Sequence, residues 1–153
     1  MSHGSSIALS TIAAALAPTV AASAYFLVLA GLSAEILVIA LCAFAVAAAH
    51  VLVLGLPAYA LLHRLNRVRW WLLTALGFVA GCVPFGVFAW PLRHGYPGSS
   101  SQENGVWTMI DGIPTFDGWM EFGKGMIWFG ALGALSAFSF WFTQDRMRAQ
   151  LNR

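Results

Sequence analysis

Few side chains in this sequence are able to do chemistry, and His50 stands apart from the rest. It is the one ionisable group deep inside an apolar run, about 15 residues and so roughly 22 Å along a helix from Glu35. An ionisable group in hydrocarbon is costly and by default marks a functional site. A neutral imidazole there could act as a general base, a ligand, or a hydrogen-bonding partner for a neighbouring helix. Thr19 and Ser136 fall at a similar depth in their own apolar segments. Pro57, which has no N–H, frees the carbonyl of Val53 one turn away. The sequence favours a structural hydrogen bond for His50; the alternative is a polar site, His50 with Thr19 and Ser136, lining a cavity.

Other chemistry is poorly supported. A bis-histidine haem needs a second His at matching depth, but His63 and His94 sit at segment edges and His3 in the tail. Cys82 shares the depth of His50, yet two ligands do not make a metal site. Neither Cys42 nor Cys82 has a CxxC neighbour. Glu35 begins a helix, where the dipole favours it, unlike the intramembrane carboxylate of small multidrug exporters. No catalytic residue, cofactor or metal is therefore expected.

These residues sit in a chain of 153 residues that is 59% hydrophobic and 9% charged, with mean hydropathy +0.75. Soluble domains carry about 25% charged residues, so the expected solvent is the lipid bilayer. About 20 apolar residues cross a hydrocarbon core of about 30 Å. Four segments qualify, at about 7–30, 35–62, 70–92 and 123–142, with a long loop at about 93–122. The expected fold is all-α, a polytopic antiparallel four-helix transmembrane bundle in one domain. The first segment has no basic start and a long apolar run, so it reads as an uncleaved helix rather than a signal peptide. Ser33 is placed to cap the second helix after a tight turn through Gly31 and Leu32.

Basic residues favour the cytoplasmic side. Arg64, Arg67 and Arg69 flank the second connection and Arg146, Arg148 and Arg153 the C-terminal tail, against Arg93 and Lys124 on the opposite side. Both termini are therefore expected in the cytoplasm and the long loop outside. Trp70, Trp71, Trp90 and Trp141 mark the interfaces. With net charge +2 and its basic residues so clustered, the chain offers no face for nucleic acid. Arg outnumbering Lys, with abundant Ala and Gly, points to a GC-rich bacterial genome and thus to a bacterial inner membrane.

Every span carries small residues at four-residue spacing, such as Gly77 with Gly81 and Gly133 with Ala137. Such stripes allow close helix packing, within the chain or between copies. Pro18, Pro57 and Pro84 lie at unmatched depths and read as ordinary kinks rather than paired broken helices. In the loop, a turn-rich stretch from Tyr96 to Gly105 precedes apolar Val106, Trp107, Met109, Ile110, Ile113, Phe116 and Trp119. Asp111-Gly112 and Asp117-Gly118 are turn signals, and a short hairpin resting on the outer mouth is the expectation. Trp107, Asp111, Phe116, Asp117 and Trp119 are the candidate interaction surface. Asp111, Asp117 and Glu121 either line an entrance or are solvated turns and a helix start.

The run Ile110 to Thr115 with Gly118 and Trp119, and Arg69-Trp70-Trp71 before the third span, resembles small uncharacterised four-helix inner-membrane proteins of bacteria. The resemblance implies topology and no activity. Three functions follow in order: an accessory interaction protein binding another membrane protein or itself; a small transporter or lipid-binding bundle using His50; and, last for want of paired catalytic groups, a membrane enzyme. The orientation is checked by labelling. In a background lacking Cys42 and Cys82, Ser100→Cys reacts with an impermeant thiol reagent on intact cells and Gln150→Cys only after permeabilisation. The reverse pattern refutes the assignment.

Overall fold

The computed structural model describes residues 3–31, 34–93 and 95–151. Leu32 and Ser33, where the sequence places a tight turn and a cap, lie outside the described residues, as do His94 and Arg153. The helices are α1 (His3–Ala30), α2 (Ala34–His50), α3 (Leu56–Arg64), α4 (Trp70–Phe88) and α5 (Phe116–Leu151). A π-helical turn, Val51–Gly55, joins α2 to α3, and a 3-10 turn, Pro91–Arg93, follows α4. Among the described residues, four stretches are long and apolar enough to cross a membrane: Ser6–Leu29, Glu35–Arg64, Trp70–Arg93 and Phe116–Met147. Pro18 and Pro84 are carried inside continuous helices.

Local chemistry ends these helices where expected. Gly31, at φ 73°, closes α1 in the left-handed region that glycine enters freely. Asn66, at φ 51°, closes α3. Its N–H donates to the His63 carbonyl at 3.1 Å while that of Arg67 reaches the Leu62 carbonyl at 2.9 Å, a Schellman arrangement. At the end of α4, Arg93 Nη1 donates to the Val87 carbonyl at 2.8 Å. A cation there also meets the negative pole of the helix.

α4 and α5 run antiparallel and form the most extensive contact in the molecule. Their backbones touch: a Cβ placed on Gly77 would lie 2.5 Å from the Gly133 carbonyl oxygen and from the Ala137 methyl. Gly81 meets the Phe129 carbonyl and Gly133 the Gly77 carbonyl just as closely. Cys82 Sγ donates to the Met126 carbonyl at 3.3 Å along the same seam. α1 lies antiparallel on the other flank of α5, tied by Ser136 Oγ donating to the Ala14 carbonyl at 2.7 Å and by the Tyr25–Trp128 ring contact at 4.9 Å. Among the described residues α2 packs chiefly on α1, and the π turn and α3 make the main contacts across to α4. The first and last described residues thus share one end, here the terminal end; the other is the loop end.

At the loop end the all-α expectation needs amending. Residues 101–114 form a three-stranded antiparallel sheet of β1 (Ser101–Glu103), β2 (Val106–Ile110) and β3 (Ile113–Pro114). Asn104-Gly105 (φ 50° and 82°) and Asp111-Gly112 (φ 49° and 79°) make the two hairpin turns. Both central residues are left-handed, the type I′ geometry that matches strand twist. The loop is also shorter than expected because α5 starts at Phe116, not near Gly123. Asp117-Gly118 is accordingly not a turn but the first turn of α5, where Asp117 meets the positive helix end. Thr115 caps that helix, its Oγ1 accepting from Gly118 N at 3.1 Å and donating to the Trp107 carbonyl at 2.6 Å. Gly118 packs directly against the Thr108 carbonyl, so sheet and helix start form one unit.

The glycine seam makes a test. Overpacking costs about 1–3 kcal/mol, so Gly81→Val lowers unfolding stability in detergent micelles by about that amount, read from thermal or steric-trapping denaturation. A methyl group placed on Gly123 would meet nothing within 4 Å. Gly123→Ala is therefore neutral or stabilising by up to about 1 kcal/mol, from helix propensity alone.

Candidate functional site

His50 ends α2 and the π turn begins with the next residue. The turn answers Pro57: proline cannot donate to the carbonyl four residues back, and its ring crowds that carbonyl. The chain takes up the strain in one wider turn, with Leu56 N–H reaching the Val51 carbonyl. Such π turns recur at functional sites in helices.

Beside this turn lies a cavity of about 80 Å³. Its walls come from all the long helical segments: Ala14 of α1, His50, Gly55 of the π turn, Tyr59 of α3, Gly77 and Gly81 of α4, and Ser136 of α5, among others. Half of the lining is Ala or Gly, and small side chains leave the space open. The terminal end is closed by a packed cluster of Val51, Tyr59, Leu62, Leu73 and Phe140, all buried. Leu54 and Leu76 also line the cavity yet are 37% and 39% exposed. The cavity therefore reaches the surface between the π turn and α4, beside these two side chains.

The polar lining is sparse. His50 Nδ1 lies 2.8 Å from the Val46 carbonyl oxygen. A carbonyl only accepts, so Nδ1 carries the proton in this contact, and in that tautomer Nε2 keeps a lone pair. Among the described residues Nε2 has no hydrogen-bond partner. Ser136 has already committed its proton to Ala14. Tyr59 packs its ring on Phe140 at 5.0 Å and on His63 at 5.9 Å. Among the described residues no carboxylate, Lys or Arg lines the cavity.

Of the three candidates in apolar helices, the structure brings His50 and Ser136 to one cavity and leaves Thr19 outside it. Thr19 is buried and bonds the Ala15 carbonyl of its own helix at 2.8 Å. Nor does His50 bond across to another helix or to Val53: its partner is one turn back on α2. Among the described residues no three of His, Cys, Asp or Glu gather as a metal site. Two features escaped sequence reading, the π turn and Tyr59. A glycine two residues before Pro57 in the middle of an apolar run was the available signal for the first; nothing marked the second.

The loop-end candidates divide differently. Asp111 Oδ1 accepts from Gly98 N at 2.6 Å, bracing the loop, and so acts as a tie rather than an entrance. Glu121 pairs with Lys124 one turn along α5. Trp119 packs edge-on against Trp90 at 5.5 Å and Phe122 at 6.0 Å, fastening α5 to the end of α4. Trp107, Ile110, Ile113 and Phe116 remain exposed, with Ile110 and Ile113 paired across the β2–β3 turn.

Comparison with protein families, with curated proteins and with solved structures finds no match. The reading of the site rests on its own geometry.

Because His50 bonds only its own helix, His50→Leu folds with essentially unchanged stability. Ser136→Ala removes a bond between helices, worth about 0.6 kcal/mol on average in membrane proteins, and lowers stability by roughly that much. Steric-trapping denaturation of the two variants checks the order; a larger loss for His50→Leu refutes it.

Proposed function

We propose that the chain is an integral inner-membrane protein of bacteria whose work is to bind a lipid-like membrane component. In this reading the four long apolar stretches are an antiparallel transmembrane bundle with both termini cytoplasmic and the sheet outside. This topology is the one that a resemblance to small bacterial inner-membrane proteins would imply. The observation that carries the function is the mouth of the cavity between the π turn and α4, which in a bilayer opens to acyl chains rather than to water. Exposed surface supports the setting. A compact soluble protein of 16.4 kDa exposes roughly 7,500 Å², whereas this chain exposes 9978 Å². Exposed apolar side chains stand on all four long stretches, α1 and α5 as well as α2 and α4, and lipid would cover them.

Catalysis has less support, since among the described lining residues only His50 and Tyr59 can titrate and no carboxylate stands beside either to orient or assist it. An accessory role toward another membrane protein is favoured by one specific feature, the exposed Trp107, Ile110, Ile113 and Phe116 on the sheet side of the loop end.

Native mass spectrometry after gentle extraction separates these readings. One lipid-sized adduct per chain is expected, and it disappears in Gly55→Leu. That side chain is added at a lining position where a Cβ meets its nearest neighbour at an ordinary 3.6 Å. An adduct indifferent to the substitution sinks the lipid-binding reading, and a stoichiometric protein partner in its place establishes the accessory one.

A further inference from the structure

We infer that the cavity binds a neutral lipid through a terminal hydroxyl, which donates its proton to Nε2 of His50. The inference rests on the lipid-binding reading above and narrows it to one chemical class.

The hydrogen-bond inventory sets the sign. Two of the three polar side chains have spent their protons within the protein, His50 Nδ1–H on Val46 at 2.8 Å and Ser136 O–H on Ala14 at 2.7 Å. The third, Tyr59, already has a partner. What remains toward the cavity is a lone pair on the imidazole and the spare lone pairs of the serine oxygen. A site made of acceptors takes a donor. A carboxylate or phosphate brings only acceptors and a negative charge, and among the described residues no Lys or Arg lines the cavity to receive it. An ether or a plain hydrocarbon leaves this acceptor without a partner.

Size and position narrow the class further. An engineered cavity of about 150 Å³ accepts a benzene ring; this one, at about 80 Å³, is half that. It holds a hydroxyl with a methylene or two, whereas a sugar, an aromatic head or a glycerophosphate would have to stand partly in the mouth. The rest of the ligand must lie in the apolar mouth between Leu54 and Leu76. His50 stands at the end of the 17-residue α2, about 22 Å along the helix from Glu35. A lipid whose polar end reaches that far must leave the headgroup region cheaply, and a single uncharged hydroxyl does so at far lower cost than an ion. Primary long-chain or isoprenoid alcohols meet every condition.

The test uses the full chain in phosphatidylcholine nanodiscs with three probes of equal length: hexadecanol, its methyl ether, and hexadecanoic acid at neutral pH. Saturable binding of one alcohol per chain is expected, about tenfold tighter than either the ether or the acid, the effect of one well-made hydrogen bond. His50→Leu brings the alcohol down to the level of the ether and leaves the ether unchanged. His50→Gln, which keeps an acceptor, recovers part of the preference. Should His50→Leu fail to assemble, the imidazole ¹⁵N resonances of the unmodified protein decide: Nε2 shifts with the alcohol and stays still with the ether. Equal binding of alcohol and ether, or a preference that survives His50→Leu, overturns the hydroxyl assignment while lipid binding stands. Absence of saturable binding by all three probes overturns both.

Discussion

The direct contact of backbone on backbone between α4 and α5 is the constraint from which the rest of the structure follows. In lipid, burying apolar side chains against one another gains little over leaving them in acyl chains, so association depends on close van der Waals approach. Gly77, Gly81 and Gly133 provide it by leaving no side chain between the two helices. The seam fixes the register along the whole pair, from Leu73 near Phe140 to Trp90 against Trp119. Once α5 is held there, its opposite flank is free for α1, and Ser136 locks that second pair in place.

α2 is left as the outlying helix. It leans on α1 and has no small-residue seam with α4, so contact across the gap waits for the π turn and α3. The proline that forces the π turn also carries His50 and Gly55 to the wall facing α4. The cavity is thus a consequence of packing: two tightly joined pairs, α4–α5 and α1–α2, meet fully only toward the terminal end, and the space between them stays open on one side. The histidine placed in that space beside Ser136 and Tyr59 has its donor tied back to its own helix.

The loop end solves a separate problem. A chain leaving α4 must return to start α5 without exposing many unpaired backbone groups, and a three-stranded sheet with two tight turns satisfies them locally. Thr115 then serves strand and helix together, and Trp119, Trp90 and Phe122 fasten the assembly to the helices. Polar ties at Asp111 and Thr115 spend groups that might otherwise have served a ligand, leaving the exposed apolar residues as the distinctive feature of that surface.

The sequence by itself determined the existence and approximate limits of the four apolar helices, because length and lack of charge are local properties. It also announced the Asp111-Gly112 turn and placed Asn104 and Gly105 in a turn-rich stretch, since Asn-Gly and Asp-Gly favour left-handed backbone whatever surrounds them. The glycine spacing announced a close contact but not its partner. Only the tertiary structure decided that α4 pairs with α5, that Asp117-Gly118 opens a helix rather than a turn, and that Thr19 lies away from His50 while Ser136 lies near. Depth along a helix can be counted from sequence; the azimuth at which a side chain faces its neighbours cannot, because apolar residues cover every side of these helices and no amphipathic pattern marks an inward face. The direction of the His50 hydrogen bond was hidden for the same reason. It depends on which carbonyl lies within reach of a particular rotamer, and that is settled by packing.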